Sequence, residues 1–593
     1  MTTTTQTTPI DYAQFDSAIG LNWYEIDPNL RALMDRHVAP ADRPWAEEHL
    51  THWGELCGGP IAARAETVDR NPPQLKRYDA WGNEVSEIVH HPDAIANKRD
   101  IWEQGPNGLR RQGEPVSPVL GSAFTYLLSQ SDTGMVCATG MTGGVEGFVA
   151  RYADPDLRER VLPHLQSIGF DNAWDGAMFM TEIRGGSDLA SSETVATQKN
   201  GAWVLNGSKW FCSNVDAHAI ATLARPEGAE PGLRGLALFL VLSERADGTR
   251  NGIRVKRLKD KLGTKSVPTA EIDFVDAEAY IMSSPRADGG SEARGLNRMM
   301  SMVNGSRLGV ATMGLGIMRR SLLEAAIYAA HRTAFGKPLH DLPLVRETLV
   351  RMAVEIEAVS SVVFEASSLA GSVGNEQDRQ LYRIMVPLAK YRGARLGLQH
   401  ASQAVEMLGG NGYIETWPTA RQLRDAQCHT IWEGTENIIV LDVLRSMRRE
   451  QAHDALLGRI DAALSASDHS LLARDRDVVA ESLREARGAI EFLLGAPDDV
   501  RQLHARRIAS WLADLTEASL LLEQAALELQ ESGSARKAAV ARLYIRDHLG
   551  ESPMRGITGD RSVLELYDSV VGYVPLEAGA VGGRGPIPYF WPR

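Results

Sequence analysis

The sequence is poor in cysteine, and its few cysteines are widely separated. Four occur among 593 residues, at Cys57, Cys137, Cys212 and Cys428, and none belongs to a CxxC pair. The chain therefore offers neither a disulfide framework nor a thiolate zinc site, which is typical of a reducing compartment. The 15 histidines form no HExxH-like ligand set, so we expect no metal.

Long apolar runs are also missing. LALFLVL at 236–242 has the length of a strand, whereas a membrane-spanning helix needs about 20 apolar residues. The N-terminal stretch MTTTTQTTPIDYAQ has neither the basic region nor the apolar region of a secretory signal. We therefore expect a cytoplasmic protein with no membrane partner.

Positive charge is in deficit. The chain has 63 Lys and Arg against 76 Asp and Glu, a formal net charge of −13. Such a chain repels phosphate backbones on average, which argues against nucleic-acid binding as its main task. Residues 446–593 hold 18 basic and 22 acidic side chains, a net charge of −4, so the C-terminal part provides no broad basic surface for DNA.

Several nucleotide-binding and hydrolase motifs do not occur. The sequence has no GxxxxGK[ST] and no GxSxG, and GMTGGVEG at 140–147 lacks the strand and helix context of a dinucleotide-binding fold. A P-loop, a nucleophile elbow and a Rossmann site are therefore not predicted.

The periodicity of apolar residues changes three times along the chain. At roughly 150 residues per domain, the length predicts about four units. Helical spacing dominates the first part, short β-type runs follow, long amphipathic helices come next, and the last 140 or so residues continue as helices with shorter connections. We expect an α+β multidomain fold with a helical N-terminal domain (1–175), a central β-barrel domain (176–290), a four-helix bundle (291–450) and an additional helical C-terminal domain (451–593).

A first candidate segment is MFMTEIRGGSDLASS at 178–192. Thr181 follows an apolar strand and precedes a glycine-rich turn, where the backbone can closely approach a phosphate or a polar ring. An ordinary tight turn also explains these residues, and the segment taken alone favours that explanation.

A second candidate segment is LNGSKWFCSNVDAHAIATLAR at 205–225. Asn206 and Gly207 are typical of a hairpin turn, and the strand after them carries Trp210, Phe211 and Ser213. Alternating aromatic and hydroxyl side chains can stack on a flat heterocycle and bond to it, or they can simply fill the interior of a barrel.

A third candidate segment runs from residue 406 to 447. A helix is predicted to end at the GGNG run (409–412), a loop to follow, and a helix to resume after Thr435. Glu433 lies between Trp432 and Gly434. Apolar surroundings raise the pKa of a carboxylate and so favour base catalysis. The alternative is an acid at a helix start that is stabilised by the helix dipole.

Together these segments resemble the acyl-CoA dehydrogenase superfamily. MTEIRGGSD is similar to its TEPGAGSD turn and KWFCSN to its KxWITN strand, while AFGKPL at 334–339, LGGNGY at 408–413 and IWEGTEN at 431–437 resemble three more motifs in the same order. The resemblance covers residues 115–447. NPPQLKRYDAWGNEV at 71–85, RLKDKLGTKSVPTAEIDFVDA at 257–277, Glu406 before LGG, and WEG in place of YEG resemble the AidB-like branch. That branch includes an alkylation-response flavoprotein and has an extra helical C-terminal domain.

The resemblance implies FAD as the cofactor, between the β-domain and the helical bundle. The residues expected to contact FAD are Thr181, Ser187, Phe211, Ser213, Arg332, Phe335, Gly409, Gly410, Thr435 and Asn437. The residues expected to contact substrate are Ser187, Arg184, Arg307 and Gly434. Arg184 stands where the family has glycine, and its charge would favour an acidic acyl group or the CoA phosphate. In the family, the counterparts of Arg332 and Phe335 reach FAD across a subunit interface, so we expect a homo-oligomer, either a dimer or a homotetramer.

Glu433 corresponds to the catalytic base of the family, which removes the α-proton while hydride passes to flavin N5. Some relatives carry the base just before the arginine that corresponds to Arg307, but Ser306 occupies that position here. The resemblance thus implies an FAD-dependent acyl-CoA dehydrogenase of fatty acid metabolism that forms 2,3-enoyl-CoA and passes electrons to an electron-transfer flavoprotein. Two alternatives stay open, an AidB-like flavoprotein that binds DNA or another partner with little turnover, and an acyl-CoA oxidase.

Overall fold

A computed structural model describes residues 9–282, 295–371, 374–550 and 560–582. The chain divides into two compact units, which interleave along the sequence. The helical unit comprises Met1–Gly59, Ser117–Gln130 and Val310–Arg593, and the β-unit comprises Pro60–Val116 and Ser131–Gly309. The α+β fold class is confirmed, whereas the four domain boundaries stay predictions.

Twenty α-helices lie within the described ranges. In chain order they are α1 (Pro28–His37), α2 (Arg43–Leu56), α3 (Ala62–Arg70), α4 (Pro92–Gln104), α5 (Pro106–Arg111), α6 (Pro118–Ser129), α7 (Thr133–Tyr152), α8 (Pro155–Leu165), α9 (Gly295–His331), α10 (Pro343–Leu369), α11 (Glu376–Leu408), α12 (Pro418–His429), α13 (Glu436–Glu450), α14 (Ala452–Ala466), α15 (Ala473–Gly495), α16 (Asp498–Glu531), α17 (Arg536–His548), α18 (Ser562–Glu565), α19 (Tyr567–Val570) and α20 (Ala578–Gly582).

Eleven β-strands lie within the same ranges. They are β1 (Gln74–Tyr78), β2 (Glu84–Val89), β3 (Gly176–Phe179), β4 (Val195–Lys199), β5 (Ala202–Ser213), β6 (Ala219–Pro226), β7 (Ala237–Leu242), β8 (Ile253–Leu258), β9 (Thr269–Ile281), β10 (Thr333–Ala334) and β11 (Lys337–Pro338).

A seven-stranded sheet forms the centre of the β-unit. Its order is β3-β6-β4-β5-β9-β7, β8 pairs with β9, and β6 also pairs with β7, so the sheet closes on itself. Phe179, Phe239 and Phe274 are fully or almost fully buried in its apolar interior, as expected for a small barrel whose inward positions are filled by side chains. The predicted central β-barrel is therefore confirmed.

The hairpin turn predicted at Asn206 and Gly207 is wrong, because both residues lie inside the 12-residue strand β5. Gly207 has a φ of +153°, and a Cβ added there would lie 2.7 Å from both Cα and Oγ1 of Thr194. The pairing of β5 with β9 shifts register between Leu205 and Gly207. The glycine therefore serves a β-bulge and a close backbone approach rather than a turn.

A hairpin also interrupts the helical N-terminal part. β1 and β2 pair antiparallel, and between them Asp79 accepts hydrogen bonds from the backbone N–H groups of Trp81 at 2.8 Å and Asn83 at 2.9 Å. The first strand and the turn of this hairpin lie in NPPQLKRYDAWGNEV at 71–85, one of the segments that resemble the AidB-like branch.

Long helices form the helical unit. α11 contacts α10 and α13, and it approaches α9 so closely that a Cβ on Gly314 would lie 2.1 Å from the carbonyl oxygen of Gly393. The predicted bundle is thus present. The loop predicted between Tyr413 and Trp432 is wrong, because α12 occupies that span; Pro418 opens this helix, a position where proline is preorganised.

The extra C-terminal helices pack directly on the bundle. α16 contacts α10, α11, α13 and α14, and α17 contacts α10. At this packing the fully buried Glu357 pairs with Arg536 and Lys537. Burial alone would raise the pKa of Glu357, but the two cations hold it at about 2. In the part of the chain that the structure describes, no helix has the length and apolar character needed to span a membrane.

Candidate active site

A buried ion pair fixes the glycine-rich turn that follows β3. Lys209 Nζ donates to Glu182 Oε1 at 2.7 Å and to the carbonyl oxygen of Leu223 at 2.9 Å. Glu182 also accepts from the backbone N–H of Glu193 at 2.6 Å and from the Thr194 hydroxyl at 2.6 Å. Burial alone would raise the pKa of Glu182, but Lys209 and these hydrogen bonds hold it below its usual value. The turn is therefore held in place by the Glu182 carboxylate, which has several hydrogen-bond partners.

The same turn is joined to β5, so two predicted site segments lie side by side. The Trp210 N–H donates to the Thr181 carbonyl at 2.9 Å. The Phe211 side chain is 54% exposed, and Ser187 lies on the exposed part of the turn. A Cβ on Gly186 would lie 3.0 Å from Thr181 Oγ1, so glycine leaves this hydroxyl accessible. The arrangement offers an aromatic face and two hydroxyls along one edge of the β-unit.

The hydroxyl of Ser213 lies at the end of β5 and bonds to a neighbouring strand. Ser213 Oγ is 3.0 Å from Thr269 Oγ1, and Thr269 also accepts a hydrogen bond from Lys261 Nζ at 3.2 Å. Sequence reasoning did not identify Thr269 or Lys261, because their role depends on the register of β5 against β9.

The two arginines expected to contact substrate differ in their surroundings. Arg184 is 71% exposed in its side chain and forms an ion pair with Glu193 at 3.1 Å, which offsets the positive charge expected there. Arg307 lies on α9 and is buried at 5% exposure. Their roles as substrate contacts stay predictions.

Glu433 lies in a tight turn of unusual backbone geometry. Its φ is +56° and that of Gly434 is +114°, and a non-glycine residue with positive φ is uncommon and strained. Buried Lys390 on α11 donates to the Gly434 carbonyl at 2.6 Å. The next helix, α13, begins at Glu436 with Thr435 as its N-cap residue, so Glu433 lies in the turn before the helix and not in its first turn.

His429 supports this turn from the end of α12. Its ring stacks on Trp432 with centroids 5.6 Å apart and planes 17° apart. It is fully buried, and neither ring nitrogen makes a hydrogen bond within the described residues. Burial, followed by the nearby charge of Lys390, lowers the pKa of His429 to about 3. The imidazole is therefore neutral at ordinary pH.

An arginine of the extra C-terminal helices forms hydrogen bonds with the first residues of α13. Arg506 on α16 donates to Glu436 Oε2 at 2.7 Å and to Asn437 Oδ1 at 2.7 Å, and Arg395 also pairs with Glu436. Thr435 precedes the helix as its N-cap residue, with no hydrogen bond from its side chain to the first turn. The sequence did not predict this pairing, because Arg506 is distant along the chain from Glu436 and Asn437.

The remaining predicted cofactor contacts lie on exposed turns of the helical unit. Phe335, between β10 and β11, is 92% exposed with a φ of +54°, and Arg332 just before it is exposed. Gly409 has a φ of +60° and, like Gly410, is exposed.

The residues present are of the types that FAD requires. The β-unit offers an accessible aromatic face for a planar ring and hydroxyls for its polar edge, and Gly186 leaves room beside Thr181. The helical unit carries a carboxylate, Glu433, in a turn held by Lys390. The groups of the β-unit are of the type that holds a flavin, and the carboxylate of the helical unit is of the type that serves as a base.

Comparisons with known proteins agree with this chemistry. Residues 14–172 match the family model "Adaptive response protein AidB N-terminal domain", 177–277 match "Acyl-CoA dehydrogenase, middle domain", and 293–448 match "Acyl-CoA dehydrogenase, C-terminal domain". Acyl-CoA dehydrogenase family member 11 of Caenorhabditis elegans is 30% identical over 530 residues, covering 85% of this chain and 84% of that protein. Putative acyl-CoA dehydrogenase AidB of Escherichia coli (strain K12) is 31% identical over 425 residues, covering 68% of this chain and 75% of that protein.

A solved structure shows the same fold over almost the whole chain. The crystal structure of Caenorhabditis elegans ACDH-11 in complex with C11-CoA matches with a TM-score of 0.81 and 27% identity, covering 96% of this chain and 94% of that one. The fold and these relatives define a flavoprotein of the dehydrogenase type. The chain belongs to the acyl-CoA dehydrogenase family, whose cofactor is FAD. Its N-terminal match and its extra C-terminal helices place it in the AidB-like branch.

Proposed function

We propose that this protein is an FAD-dependent acyl-CoA dehydrogenase that forms a 2,3-enoyl-CoA. The observation that carries the proposal is the strained turn at Glu433, whose following residue is tied to buried Lys390. Strain of this kind persists only where the surrounding structure enforces it, and it is concentrated at functional sites. A carboxylate fixed in this way is suited to remove a proton from a defined direction.

In this proposal the carboxylate of Glu433 takes the α-proton of the thioester. Bound FAD supplies the hydride acceptor for the hydrogen at the β-carbon, so two carbon–hydrogen bonds break and a carbon–carbon double bond forms. The backbone N–H of Glu433 is proposed to donate to the thioester carbonyl oxygen, which stabilises the charge that develops as the α-proton leaves.

The β-unit residues are proposed to hold the flavin. Phe211 would stack against the ring system, Thr181 and Ser213 would bond to its polar edge, and Ser187 would contact the ribityl-pyrophosphate part or the thioester end of the substrate. The accessible Phe211 ring and the exposed Ser187 support these assignments. Thr435 and Asn437 are proposed to contact the adenine or pyrophosphate part.

The substrate is proposed to be an acyl-CoA thioester, and the ACDH-11 complex with C11-CoA supports that class. Arg307 and Gly434 are proposed substrate contacts. Arg184 is proposed to meet CoA phosphate only if it leaves Glu193, because that carboxylate now lies 3.1 Å from it.

A homo-oligomer and an electron-transfer flavoprotein as acceptor complete the proposal. The exposure of Phe335 supports a subunit interface on the helical unit. There Arg332, Phe335, Gly409 and Gly410 would reach the FAD of a partner subunit.

A second candidate is an AidB-like role in DNA binding with little turnover, which the match to the AidB N-terminal model favours. The net charge of −4 over residues 446–593 opposes it. A third candidate, an acyl-CoA oxidase, shares the first chemistry and differs in reducing oxygen.

One experiment separates the three candidates. The FAD-loaded protein is mixed anaerobically with straight, branched, cyclic and dicarboxylic acyl-CoAs, beginning with a C11 chain, and flavin bleaching is recorded. Bleaching and 2,3-enoyl-CoA formation support the dehydrogenase, and hydrogen peroxide release in air without added acceptor identifies an oxidase. No bleaching with any substrate, together with a DNA mobility shift at physiological salt, would replace the proposal by the second candidate.

A further inference from the structure

The candidate flavin contact Ser213 is connected through Thr269 to the ammonium group of Lys261. Ser213 ends β5, Thr269 begins β9, and the two residues are direct partners across the antiparallel pair. Their hydroxyl oxygens are 3.0 Å apart, and Lys261 Nζ lies 3.2 Å from Thr269 Oγ1. The three groups form one continuous chain of hydrogen bonds inside the β-unit.

Lys261 is held in a fixed orientation. Its Nζ also donates to the carbonyl oxygens of Thr264 and Val267, both at 2.7 Å. An ammonium group has three N–H donors, and the bonds to these two carbonyls hold it beside the Thr269 hydroxyl. The loop itself is anchored, because the Ser266 hydroxyl donates to Asp132 at the start of α7 at 2.6 Å.

The direction of donation along these hydrogen bonds follows from the chemistry of Lys261. An ammonium group can only donate, so the Thr269 oxygen accepts from Lys261 and can pass its own proton to Ser213. The proton of Ser213 then stays available for a ligand. A hydrogen bond that begins at a charged donor is stronger, and neighbouring bonds in a chain polarise one another.

We propose that Lys261 and Thr269 are positioning residues that make Ser213 a stronger hydrogen-bond donor toward the flavin and thereby favour flavin reduction. The inference rests on the proposed function, because it takes Ser213 as a flavin contact. A donor polarised by a cation stabilises added electron density on the acceptor, and hydrogen bonds to the flavin ring tune its electronics.

The test measures the two-electron midpoint potential and the absorption spectrum of the FAD-loaded protein, with no acyl-CoA present. Thr269→Val removes the hydroxyl at nearly constant shape, and Lys261→Met removes the charge. We expect each to lower the ratio of reduced to oxidised flavin about tenfold at a given solution potential, which is about 30 mV. The double variant should shift little further, because both changes break one chain.

Two controls separate the chain from general damage to the barrel. Thr269→Ser keeps the hydroxyl and should keep the wild-type potential. Thr222→Val removes another buried threonine of the same sheet, whose hydroxyl donates to the Phe179 carbonyl at 2.7 Å, and should also leave the potential unchanged.

The outcomes distinguish this inference from the proposed function. A wild-type potential in Thr269→Val and in Lys261→Met, with a lowered potential in Ser213→Ala, would contradict the role of Lys261 and Thr269. Ser213 would then still be a flavin contact. An unchanged potential in Ser213→Ala would overturn the inference at its base. Bleaching of the wild-type flavin by acyl-CoA tests the dehydrogenase proposal independently of both results.

Discussion

Lys209 and Glu182 form an ion pair of 2.7 Å in which the side chain of Lys209 is fully buried and that of Glu182 is 7% exposed. The pair joins β5 to the turn after β3, the two segments that carry Thr181 and Phe211. Burial lowers the pKa of Lys209, and Glu182 opposes that effect. Hydrogen bonds to Lys209 and to Glu182 offset the free energy of burying the two charges. Removing either side chain alone would therefore leave buried polar groups unsatisfied.

We therefore expect Lys209→Met to cost about 3–5 kcal/mol of stability and to weaken FAD binding, because it leaves the buried Glu182 carboxylate without its cation. The matched control is Lys199→Met. Lys199 forms an ion pair of the same length with Asp276, but both side chains are more than half exposed, and such pairs contribute under about 1 kcal/mol. Urea unfolding of the apo-proteins and FAD titration measure both effects. Equal losses in the two variants would show that the buried pair has no special role.

A second prediction concerns the stability cost of replacing Gly207 in the β-bulge of β5. Gly207→Ala places a Cβ 2.7 Å from the backbone of Thr194. The control is Gly201→Ala, because Gly201 also has a positive φ, of +85°, but a Cβ added there has no atom within 4 Å. Because overpacking adds to the backbone strain, we expect Gly207→Ala to cost about 1–3 kcal/mol more than Gly201→Ala. Urea unfolding midpoints give the comparison, and similar midpoints would contradict the close approach.

The order of the fold could be predicted from the sequence because it depends on local periodicity. Short runs of β-type residues identified β4, β6, β7, β8 and β9, whereas β5 was predicted as two strands. Three-and-four spacing identified α9, α10 and α11. The Asn206–Gly207 error arose because the same dipeptide serves a hairpin or a bulge, and only contact with Thr194 decides between them. α12 was missed because its buried face is largely polar, with Arg421, Gln422, Asp425 and His429 among its buried residues.

The site could be predicted only where a residue belongs to a contiguous motif. Glu433 and Phe211 lie in such motifs, but no local pattern links Lys390 to Gly434 or Lys261 to Thr269. These links are made by tertiary packing and strand register. Positive φ at Glu433 is likewise a property of the turn and its supports rather than of glutamate.

His429 makes a prediction about pH. Its folded-state pKa is about 3, below the usual value of about 6.5. Between these pH values the unfolded chain binds a proton at His429 that the folded protein does not bind. The contribution of the neutral His429 to the free energy of unfolding is therefore fully present above about pH 6.5 and is lost as the pH falls toward 3. Wild type should lose up to about 1.4 kcal/mol per pH unit more than His429→Phe in this window. Urea unfolding at pH 6.5, 5.5 and 4.5 measures the difference, and parallel curves would contradict the buried neutral imidazole.

The support of the Glu433 turn makes a prediction about rate. Lys390→Met removes the donor to the Gly434 carbonyl, so the turn can relax and misplace the carboxylate. We expect flavin reduction by acyl-CoA to slow about a hundredfold, as a displacement of about 1 Å can cause, with FAD still bound and little change in acyl-CoA affinity. Stopped-flow bleaching across substrate concentrations separates rate from affinity. A wild-type rate in a folded variant would show that Lys390 does not position Glu433.

Anaerobic flavin bleaching of Glu433→Gln by an acyl-CoA that bleaches the wild type tests the central claim most directly. The substitution keeps the size of the side chain and removes its basicity, so FAD should stay bound with an unchanged spectrum. A general base contributes about 10²–10⁴-fold to a rate, and we expect bleaching to slow by at least that range. Bleaching of Glu433→Gln at the wild-type rate would contradict the assignment of Glu433 as the base.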